Sequence, residues 1–517
     1  MKKLAPLKGS YPYTQSVLRI SSNEFETLKQ AQFLFNKLYS LAVQDIDFIS
    51  KALQPVAARC GFVASELEVY RSVELQEGKP RAVFNNNVFL QQARNIQALD
   101  TYKCPWIMTV ANYLSEESAL QDHFQINLTE KIREHIGLGL KTHLKEEPAI
   151  LDENDISQIL PAPMRENNSY IAYLAKLQNP DSPKIHYLTR TTYEKVTKAI
   201  EIQHFCLSMW LDHHVKVDVI FWDDLEKASI EYRNRDIYGR GDLFLENGDK
   251  VSLIFARTEL FGHLTGSFMP HNKELWPEEV RHQLKIMDIY KNIQRESKAV
   301  FVPTSGERLV RSRSVEIYLK RNLHRFLNDK ETQYLSQFFS KHWEIGLKFP
   351  PLYPESKSDE AHSSPMYYGL VANSEENSFI VKNLLRGYYR RKQAILDVRD
   401  GRNIGRSRIE TKAELLDVIS STDDNWRDLF IMFPKIIPPK RSASIVSLSG
   451  EAHNITLEAH GGTVSEIALF GAYVQDSDGN NICNSVTGIG ARTRPVNLSN
   501  PVAEEVLYGA IGTITVF

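Results

Sequence analysis

The C-terminal region of the chain combines the pattern of a buried strand with two closely spaced arginines. The ten residues Ser465–Val474, SEIALFGAYV, contain Glu466 and precede the run Ala491-Arg492-Thr493-Arg494. Most of the ten residues have the apolar character of a core strand. A guanidinium group, by contrast, is a planar donor that can hold a carboxylate through two parallel hydrogen bonds.

These residues resemble the C-terminal core of the eukaryotic-type glutathione synthetases. In that family S-E-L-G-I-F-G-V-Y-V leads to N-x-x-x-G-x-L-L-R-T-K and then to a small-residue loop containing V-A. Here SEIALFGAYV leads to Asn484 and Gly488 in N-x-x-x-G-x-G-A-R-T-R, and then to Val502-Ala503. The resemblance implies an ATP-grasp ligase, which phosphorylates a carboxylate with ATP and lets an amine displace the phosphate.

The resemblance assigns roles to the C-terminal residues. Glu466 matches an ATP-binding glutamate, and Arg494 replaces a lysine that contacts ATP. Arg492 matches the catalytic arginine that pairs with the carboxylate of the substrate. Val502 and Ala503 match the loop whose backbone meets the peptide substrate.

The family's glycine-rich phosphate loop has its nearest counterpart in Ile395–Gly405, ILDVRDGRNIG. Arg399 and Gly401 then become nucleotide-binding residues, and Asp400 replaces the Mg²⁺-binding glutamate as catalytic metal ligand, a role that suits a carboxylate. Leu396 stands where the family has a lysine, and two of the three glycines are missing. The alternative is a turn between a strand and a helix that has no nucleotide role.

Three further segments carry weaker resemblances. Arg94 in FLQQARN matches a substrate-binding arginine, and Arg313 in RSRSVE matches a phosphate-contacting lysine. The alternatives are a solvated arginine on a helix face for Arg94 and plain surface charge for Arg313. The strand-like segment Trp106–Asn112 lacks the metal-binding glutamate that the family has at this place.

Adenine binding is assigned to the segment Phe430–Ile437, FIMFPKII. It resembles the family's hinge strand I-L-M-E-K-I and retains Met432 and Lys435. Pro434 replaces a residue that has a backbone N–H, so one donor is lost.

Composition indicates an ordinary globular protein. The 517 residues are 42% hydrophobic and 24% charged, with a formal net charge of -2. That balance does not favour a nucleic-acid partner. The four scattered cysteines suit a reducing compartment, and neither an apolar signal segment nor an 18-residue apolar run is present. We expect a cytoplasmic protein without a membrane partner.

Hydrophobic periodicity predicts the elements that position these residues. Helical spacing covers Asn23–Leu53, as one long or two consecutive helices, and also Ser115–Glu146 and Asn377–Gln393. Short strands rich in valine, isoleucine and threonine fill Arg441–Phe517, and Pro350–Pro365 has the composition of a linker.

A β-α-β unit is predicted in the middle of the chain, with strands at Ile185–Thr189 and Val215–Trp222 and a helix at Thr192–Leu211. Asp242–Arg257 follows as a hairpin whose Asn247-Gly248 dipeptide predicts a type I′ turn.

Two other clusters have alternative explanations. The basic run Arg386–Arg408 is interpreted as a solvated helix followed by a phosphate loop, because the overall charge does not favour nucleic acid. His204, His213 and His214 lack a spacing that fits a metal site, because adjacent residues of a strand point to opposite faces.

The expected fold is α/β and ATP-grasp-like, with an inserted parallel α/β substrate domain and a C-terminal antiparallel sheet. Residues 1–147 are assigned to an N-terminal helical region of the core, residues 148–310 to the substrate domain, and residues 311–517 to the ATP-grasp C-terminal core with its lid. The implied cofactors are ATP and Mg²⁺, and the partner is a small carboxylate or thiol-peptide. The alternative is a catalytically inactive relative that binds a small anionic or thiol ligand or a protein; a homodimer is left open.

Overall fold

A computed structural model gives the fold over most elements of the chain. It describes residues 13–14, 18–57, 64, 67–68, 70–71, 79, 81–92, 95–101, 163–189, 205–206, 209–210, 212–256, 278–310, 312–339, 343–344, 379–383, 395–396, 403–404, 408–409, 430–434, 441–449, 454–495, 510–512 and 514–516. For some of these residues only the backbone is described. The predicted helix Ser115–Glu146, the strand-like Trp106–Asn112 and the linker Pro350–Pro365 lie outside them.

The N-terminal prediction is confirmed as two consecutive helices, α1 (Ser22–Gln44) and α2 (Ile46–Ala57). Helix α1 begins with a capping box, in which the Glu24 N–H donates to Ser21 Oγ at 3.2 Å and the Ser21 N–H donates to Glu24 Oε2 at 2.8 Å. Asp45 separates the helices, because its Oδ1 accepts the Phe48 N–H at 2.9 Å. Its other oxygen pairs with Arg325 Nε at 2.5 Å.

The remaining helices of the described residues are mostly short. They are α3 (Pro163–Gln178), α4 (Trp222–Glu226), α5 (Glu278–Glu296), α6 (Ser305–Leu309), α7 (Arg313–Arg321) and α8 (Asp329–Ser336), with a 3₁₀ turn at Leu323–Arg325. None of the helices in the described regions of the chain combines the length and apolar character needed to cross a bilayer.

The largest sheet joins the two ends of the chain. Its seven strands are β1 (Tyr13–Thr14), β3 (Arg81–Gln92), β4 (Asn95–Thr101), β18 (Arg441–Ser449), β19 (Asn454–Gln475), β20 (Asn481–Pro495) and β21 (Ala510–Gly512). They lie in the order β18-β1-β21-β20-β19-β3-β4, and all neighbours are antiparallel except β1 and β21. A separate parallel pair joins β2 (Leu18–Ile20) to β22 (Ile514–Val516).

The predicted parallel sheet is confirmed. It contains β5 (Lys184–Thr189), β6 (Lys216–Phe221), β10 (Leu253–Ala256) and β11 (Val300–Val302) in the order β11-β10-β5-β6. Between β5 and β6, the described residues Phe205, Cys206, Met209 and Trp210 are helical, as the β-α-β prediction requires.

The predicted hairpin is shorter than expected, and its turn differs. Strands β8 (Asp242–Phe244) and β9 (Lys250–Val251) pair antiparallel, and β7 (Ser229–Glu231) adds a third strand. The type I′ prediction is wrong, because that turn needs a positive φ at both Asn247 and Gly248. Gly248 has a φ of 82°, but Asn247 does not have a positive φ; among the described non-glycine residues only His214 does. Instead, Leu245 N–H donates to the Asp249 carbonyl at 3.0 Å around a three-residue loop with glycine in its left-handed position.

The helix predicted over Asn377–Gln393 is wrong where the structure describes it. Phe379–Asn383 forms strand β13, which pairs antiparallel with β17 (Phe430–Pro434) over five residue pairs. With β12 (Trp343–Glu344) and β16 (Arg408–Ile409) they make a second four-stranded sheet. Tertiary pairing thus outweighs the helical spacing, and the β-branched Ile380 and Val381 suit a strand.

Two apolar cores lie on opposite sides of the central strand β19. Ile467 and Leu469 pack in the larger core with α1 and α2, whereas Ala472 and Val474 pack in the smaller one with α3. The parallel sheet also separates the two cores, since Leu188 belongs to the larger and Tyr187 to the smaller.

Helix α1 meets the sheet through a buried polar cluster as well as through apolar packing. Asn36 Nδ2 donates to Asn484 Oδ1 at 3.1 Å and to the Ser485 carbonyl at 2.9 Å, and it lies beside Gln32. A Cβ on Gly471 would approach Asn36 Oδ1 to 2.3 Å and Gln32 Nε2 to 2.6 Å. Glycine at this position is therefore required by the close approach of α1.

We expect Gly471→Ala to lower the free energy of unfolding by about 1–3 kcal/mol, because the new methyl group displaces hydrogen-bonded amides. Chemical denaturation measures the change. The control is Ser477→Ala in the exposed turn that follows β19, which should shift it by less than about 0.5 kcal/mol. Equal stability of the two variants would contradict this account of the contact.

Candidate functional site

The seven-stranded sheet places two of the predicted functional residues directly opposite each other. Glu466 on β19 pairs with Arg492 on β20, and Glu466 also pairs with Leu90 on β3. Arg492 in turn pairs with Ile511 on β21. Opposite positions of an antiparallel pair lie on the same face of a sheet, with Cβ atoms about 4.5–5.5 Å apart. The register therefore brings positions 466 and 492 together at the centre of the sheet.

Arg494 occupies the next position on the same face. It pairs with Val464, two residues from Glu466, and no register shift lies between these pairs. On the opposite face, Ser465 Oγ and Thr493 Oγ1 lie 2.8 Å apart. The two faces of this ladder thus differ. Positions 466, 492 and 494, which have charged residue types, lie on one face, and the hydroxyl pair lies on the other face beside the larger core.

The hairpin of β3 and β4 connects at the same end of the sheet. Gln92 pairs with Asn95, and Leu90 pairs with Glu466. Arg94 itself lies outside the described residues, in the connection between these strands.

The predicted adenine and phosphate residues are spread over other elements. Met432 lies in β17, between Trp343 of β12 and Val381 of β13. Arg313 is the first residue of α7, whose N-cap is Ser312. Lys435, Arg399, Asp400, Gly401, Val502 and Ala503 lie outside the described residues.

The strands that flank the predicted glycine-type loop are described. β14 (Ile395–Leu396) pairs antiparallel with β15 (Asn403–Ile404). The connection 397–402, which contains Arg399, Asp400 and Gly401, therefore starts and ends at neighbouring positions of one ladder.

A second polar cluster, which the sequence did not predict, lies at the parallel sheet. His186 on β5 pairs with Asp218 on β6, and Asp249 approaches from the β8–β9 hairpin. One ligand-type atom of each of these three residues lies within 4.8 Å of those of the other two. Lys184, two residues before His186, bridges both carboxylates, with its Nζ 2.9 Å from Asp249 Oδ2 and also in contact with Asp218.

Burial and neighbouring charges shift the pKa values of Lys184 and His186 in opposite directions. Burial lowers the pKa of Lys184, but the hydrogen bonds to Asp218 and Asp249 outweigh that effect and leave the pKa raised. Burial, aided by the charge of Lys184, lowers the pKa of His186 to about 4. The imidazole is therefore neutral near pH 7.

The hydrogen-bonding capacity of the His186 imidazole is unused among the described residues. Its side chain is fully buried, and neither Nδ1 nor Nε2 has a hydrogen-bond partner among the residues that the structure describes. A buried polar group without a partner costs about 1–3 kcal/mol. The sequence signals were the alternating strands KIHYLT and KVDVIF, but the three residues are brought together by parallel register and a hairpin, which spacing along the chain does not reveal.

Comparisons with known proteins identify the fold. No model of a known protein family matches the chain, and no curated protein matches it. Among solved structures, it is similar to a glutathione synthetase-like effector from Globodera pallida in its apo form. The TM-score is 0.57 at 11% identity, over 98% of this chain and 90% of that chain. The chain thus has a mixed α/β, glutathione synthetase-like fold.

A second solved structure is described as a gamma-glutamylcysteine synthetase from Methylobacillus flagellatus. It matches over 93% of this chain and 88% of that chain at 11% identity. Its TM-score of 0.36 is too low to support an argument about this protein.

The register generates a prediction about positions 466 and 492. In a double-mutant cycle with Glu466→Gln and Arg492→Gln, we expect a coupling of about 0.2–1 kcal/mol in the free energy of unfolding, as for other opposite-charge cross-strand pairs. The reference is the cycle of Ser465→Ala and Thr493→Val, whose hydroxyls are in contact. A coupling energy well above 1 kcal/mol would indicate that the main role of Arg492 is to stabilise the fold.

Proposed function

We propose that the protein is a divergent glutathione synthetase-like ATP-grasp protein that acts as an ATP- and Mg²⁺-dependent carboxylate–amine ligase. The observation that carries the proposal is the likeness of fold to the glutathione synthetase-like effector over 98% of this chain. The paired positions of Glu466 and Arg492 at the centre of the seven-stranded sheet support it.

The reaction has two balanced steps. A carboxylate oxygen of the substrate attacks the γ-phosphorus of ATP, and ADP leaves with the electron pair of the broken P–O bond. The amine nitrogen then attacks the acyl carbon and loses a proton, while inorganic phosphate departs. The products are an amide, ADP and phosphate. The proposed substrate is a small γ-glutamyl-type peptide or carboxylate.

Nucleotide binding is assigned to residues around the β14–β15 ladder. In that ladder Leu396 pairs with Asn403, so the described strands hold the two residues that border the connection 397–402 side by side. Asp400 would hold Mg²⁺, which neutralises charge on the triphosphate. Arg399, Gly401 and Arg494 would contact the phosphates.

The nucleotide base is assigned to strand β17. Met432 and Lys435 would contact adenine, and Arg313 at the start of α7 would approach the phosphates. Pro434 pairs with Phe379 in this strand and has no N–H to offer. Base recognition would then depend on the other backbone groups of the strand.

Substrate binding is assigned to Arg492, Arg94, Val502 and Ala503. Arg492 would hold the carboxylate through a bidentate pair, and Arg94 would approach from the β3–β4 connection at the same end of the sheet. In this proposal residues 148–310 form the substrate domain, between the N-terminal residues 1–147 and the core of residues 311–517.

The cellular setting belongs to the same proposal. Scattered cysteines fit a reducing compartment, so we place the protein in the cytoplasm. The proposed ligand is a small carboxylate or thiol-peptide, and a homodimer is compatible with it.

A second candidate function is binding without catalysis. Leu396 replaces the loop lysine, and Trp106–Asn112 lacks the metal-binding glutamate. One positive charge that neutralises phosphate and one ligand for Mg²⁺ are therefore missing, and both groups promote phosphoryl transfer. Release of ADP and phosphate from Mg²⁺-ATP, with γ-glutamyl dipeptides and a panel of small amines, separates the two functions. Ligand binding without ADP release would favour the binding protein.

We expect Asp400→Asn to weaken Mg²⁺-dependent ATP binding, because a neutral amide is a poorer ligand for a hard cation. Calorimetric titration with ATP, with and without Mg²⁺, measures the effect. Asp397→Asn, in the same segment, is the matched control and should bind as the parent protein does. Unchanged Mg²⁺-ATP affinity in Asp400→Asn would assign Asp400 to a plain turn.

We expect Arg492→Ala to weaken binding of a γ-glutamyl dipeptide about tenfold to a hundredfold, since a charge-assisted hydrogen bond contributes roughly 1.5–3 kcal/mol. Arg492→Lys should recover little, because an ammonium group cannot reproduce the planar fork. The control is Arg233→Ala at an exposed position.

The same variants are compared in thermal denaturation. The carboxylate role predicts that Arg492→Ala melts close to the parent protein while binding is lost. A lowered melting temperature with unaltered dipeptide affinity would instead make Arg492 the partner of a structural ion pair.

A further inference from the structure

The cluster at the parallel sheet combines one imidazole with two carboxylates. We propose that His186, Asp218 and Asp249 form a binding site for a divalent transition-metal ion of the Zn²⁺ type. Three protein ligands of nitrogen and carboxylate type, with a further coordination position left for water, are a common arrangement for Zn²⁺.

The buried imidazole is the observation that points to a ligand. His186 has no exposed surface, and both of its ring nitrogens lack partners among the described residues. If the cluster served only to hold the ion pairs of Lys184, an apolar residue at position 186 would suit the buried strand better. A metal ion bound to either ring nitrogen would supply the partner that the buried imidazole lacks among the described residues.

The three ligands are held by different kinds of structure. His186 and Asp218 are direct neighbours in the parallel ladder, so their separation is fixed by backbone pairing. Asp249 is held by its hairpin, where Asn247 Nδ2 donates to Asp249 Oδ2 at 3.1 Å. Hydrogen bonds of this kind orient metal-binding carboxylates. Ligand atoms about 2.0–2.2 Å from a tetrahedral metal ion lie roughly 3.3–3.6 Å from one another. The three groups, whose ligand atoms now lie within 4.8 Å of one another, would therefore have to approach by up to about 1.5 Å.

Lys184 occupies the place of the cation in the structure. Its ammonium group bridges Asp218 and Asp249, so the two carboxylates are already neutralised. Lys184 is the first residue of β5 and follows the exposed residues Asp181 and Ser182, so its long side chain can turn to solvent. We infer that metal binding displaces this ammonium group, which remains protonated and exchanges its carboxylate partners for water.

The site is open to ions and lies away from the usual ligand edge of the sheet. The side chains of Asp218 and Asp249 are 31% and 42% exposed, so a hydrated ion can reach them. Lys184, His186 and Asp218 lie toward the amino ends of their strands. Ligands of open parallel sheets normally bind beyond the carboxyl ends. The proposed metal site shares no residue with the proposed ligase site.

The test is calorimetric titration of the chelator-treated full chain with ZnCl₂, followed by Co²⁺ absorption spectroscopy. We expect one Zn²⁺ per chain, and His186→Asn and Asp249→Asn should each weaken binding more than about tenfold, since ligand-shell changes have effects of this size. His213→Asn is the control, because His213 is half-buried, lies outside the cluster and, like His186, has a ring nitrogen without a hydrogen-bond partner among the described residues. It should leave Zn²⁺ affinity unchanged.

Lys184→Met provides the sharpest comparison. Removal of the competing positive charge should raise Zn²⁺ affinity about tenfold or more. Zn²⁺ affinity that is the same in His186→Asn, Asp249→Asn and His213→Asn would overturn the proposal, as would absence of Zn²⁺ binding in both the parent protein and Lys184→Met. Circular dichroism establishes that each variant is folded. If His186→Asn does not fold, the Zn²⁺ affinities of Asp249→Asn and Lys184→Met test the proposal. Both variants should fold, because Asp249 is half-exposed and Lys184 is the first residue of its strand.

Discussion

The packing of strand β19 is the constraint on which the rest of the structure depends. The strand pairs with β20 on one edge and with β18 and β3 on the other, and apolar residues cover both of its faces. A strand that is enclosed in this way cannot change register by one residue without turning its core residues to the wrong core. The relative positions of Glu466 and Arg492 follow from this register, because each belongs to a strand whose neighbours fix it.

Close contact between helix and sheet reinforces that register. The Asn36 amide reaches Asn484 and Ser485 across the position of Gly471, so α1 fits the sheet at one place only. The same rigidity has different consequences at the two polar clusters. At positions 466 and 492 opposite charges lie on neighbouring strands, whereas at the parallel sheet a lysine neutralises two carboxylates and leaves a buried histidine without a partner among the described residues. Polar groups that a rigid scaffold holds without full pairing are natural places to bind ions.

Local patterns predicted much of the fold. The paired helices after Ser21, the parallel strands around His186 and the strand-rich C-terminus follow from periodicity and side-chain type. Sequence reasoning failed where partners distant in the chain decide the structure. Phe379–Asn383 forms a strand because β17 pairs with it, and His186, Asp218 and Asp249 meet through parallel register and a hairpin. The opposition of Glu466 and Arg492 likewise depends on the hairpin alignment of β19 and β20, which neither segment encodes alone.

The central claim is that a glutathione synthetase-like fold here supports an ATP-grasp nucleotide site. A crystal structure of the protein with Mg²⁺ and a non-hydrolysable ATP analogue tests it most directly. We expect the nucleotide to lie between strand β17 and the sheet that carries Glu466, with its phosphates near the connection of β14 and β15. A nucleotide bound elsewhere on the folded protein, or no nucleotide at millimolar analogue, would contradict the claim.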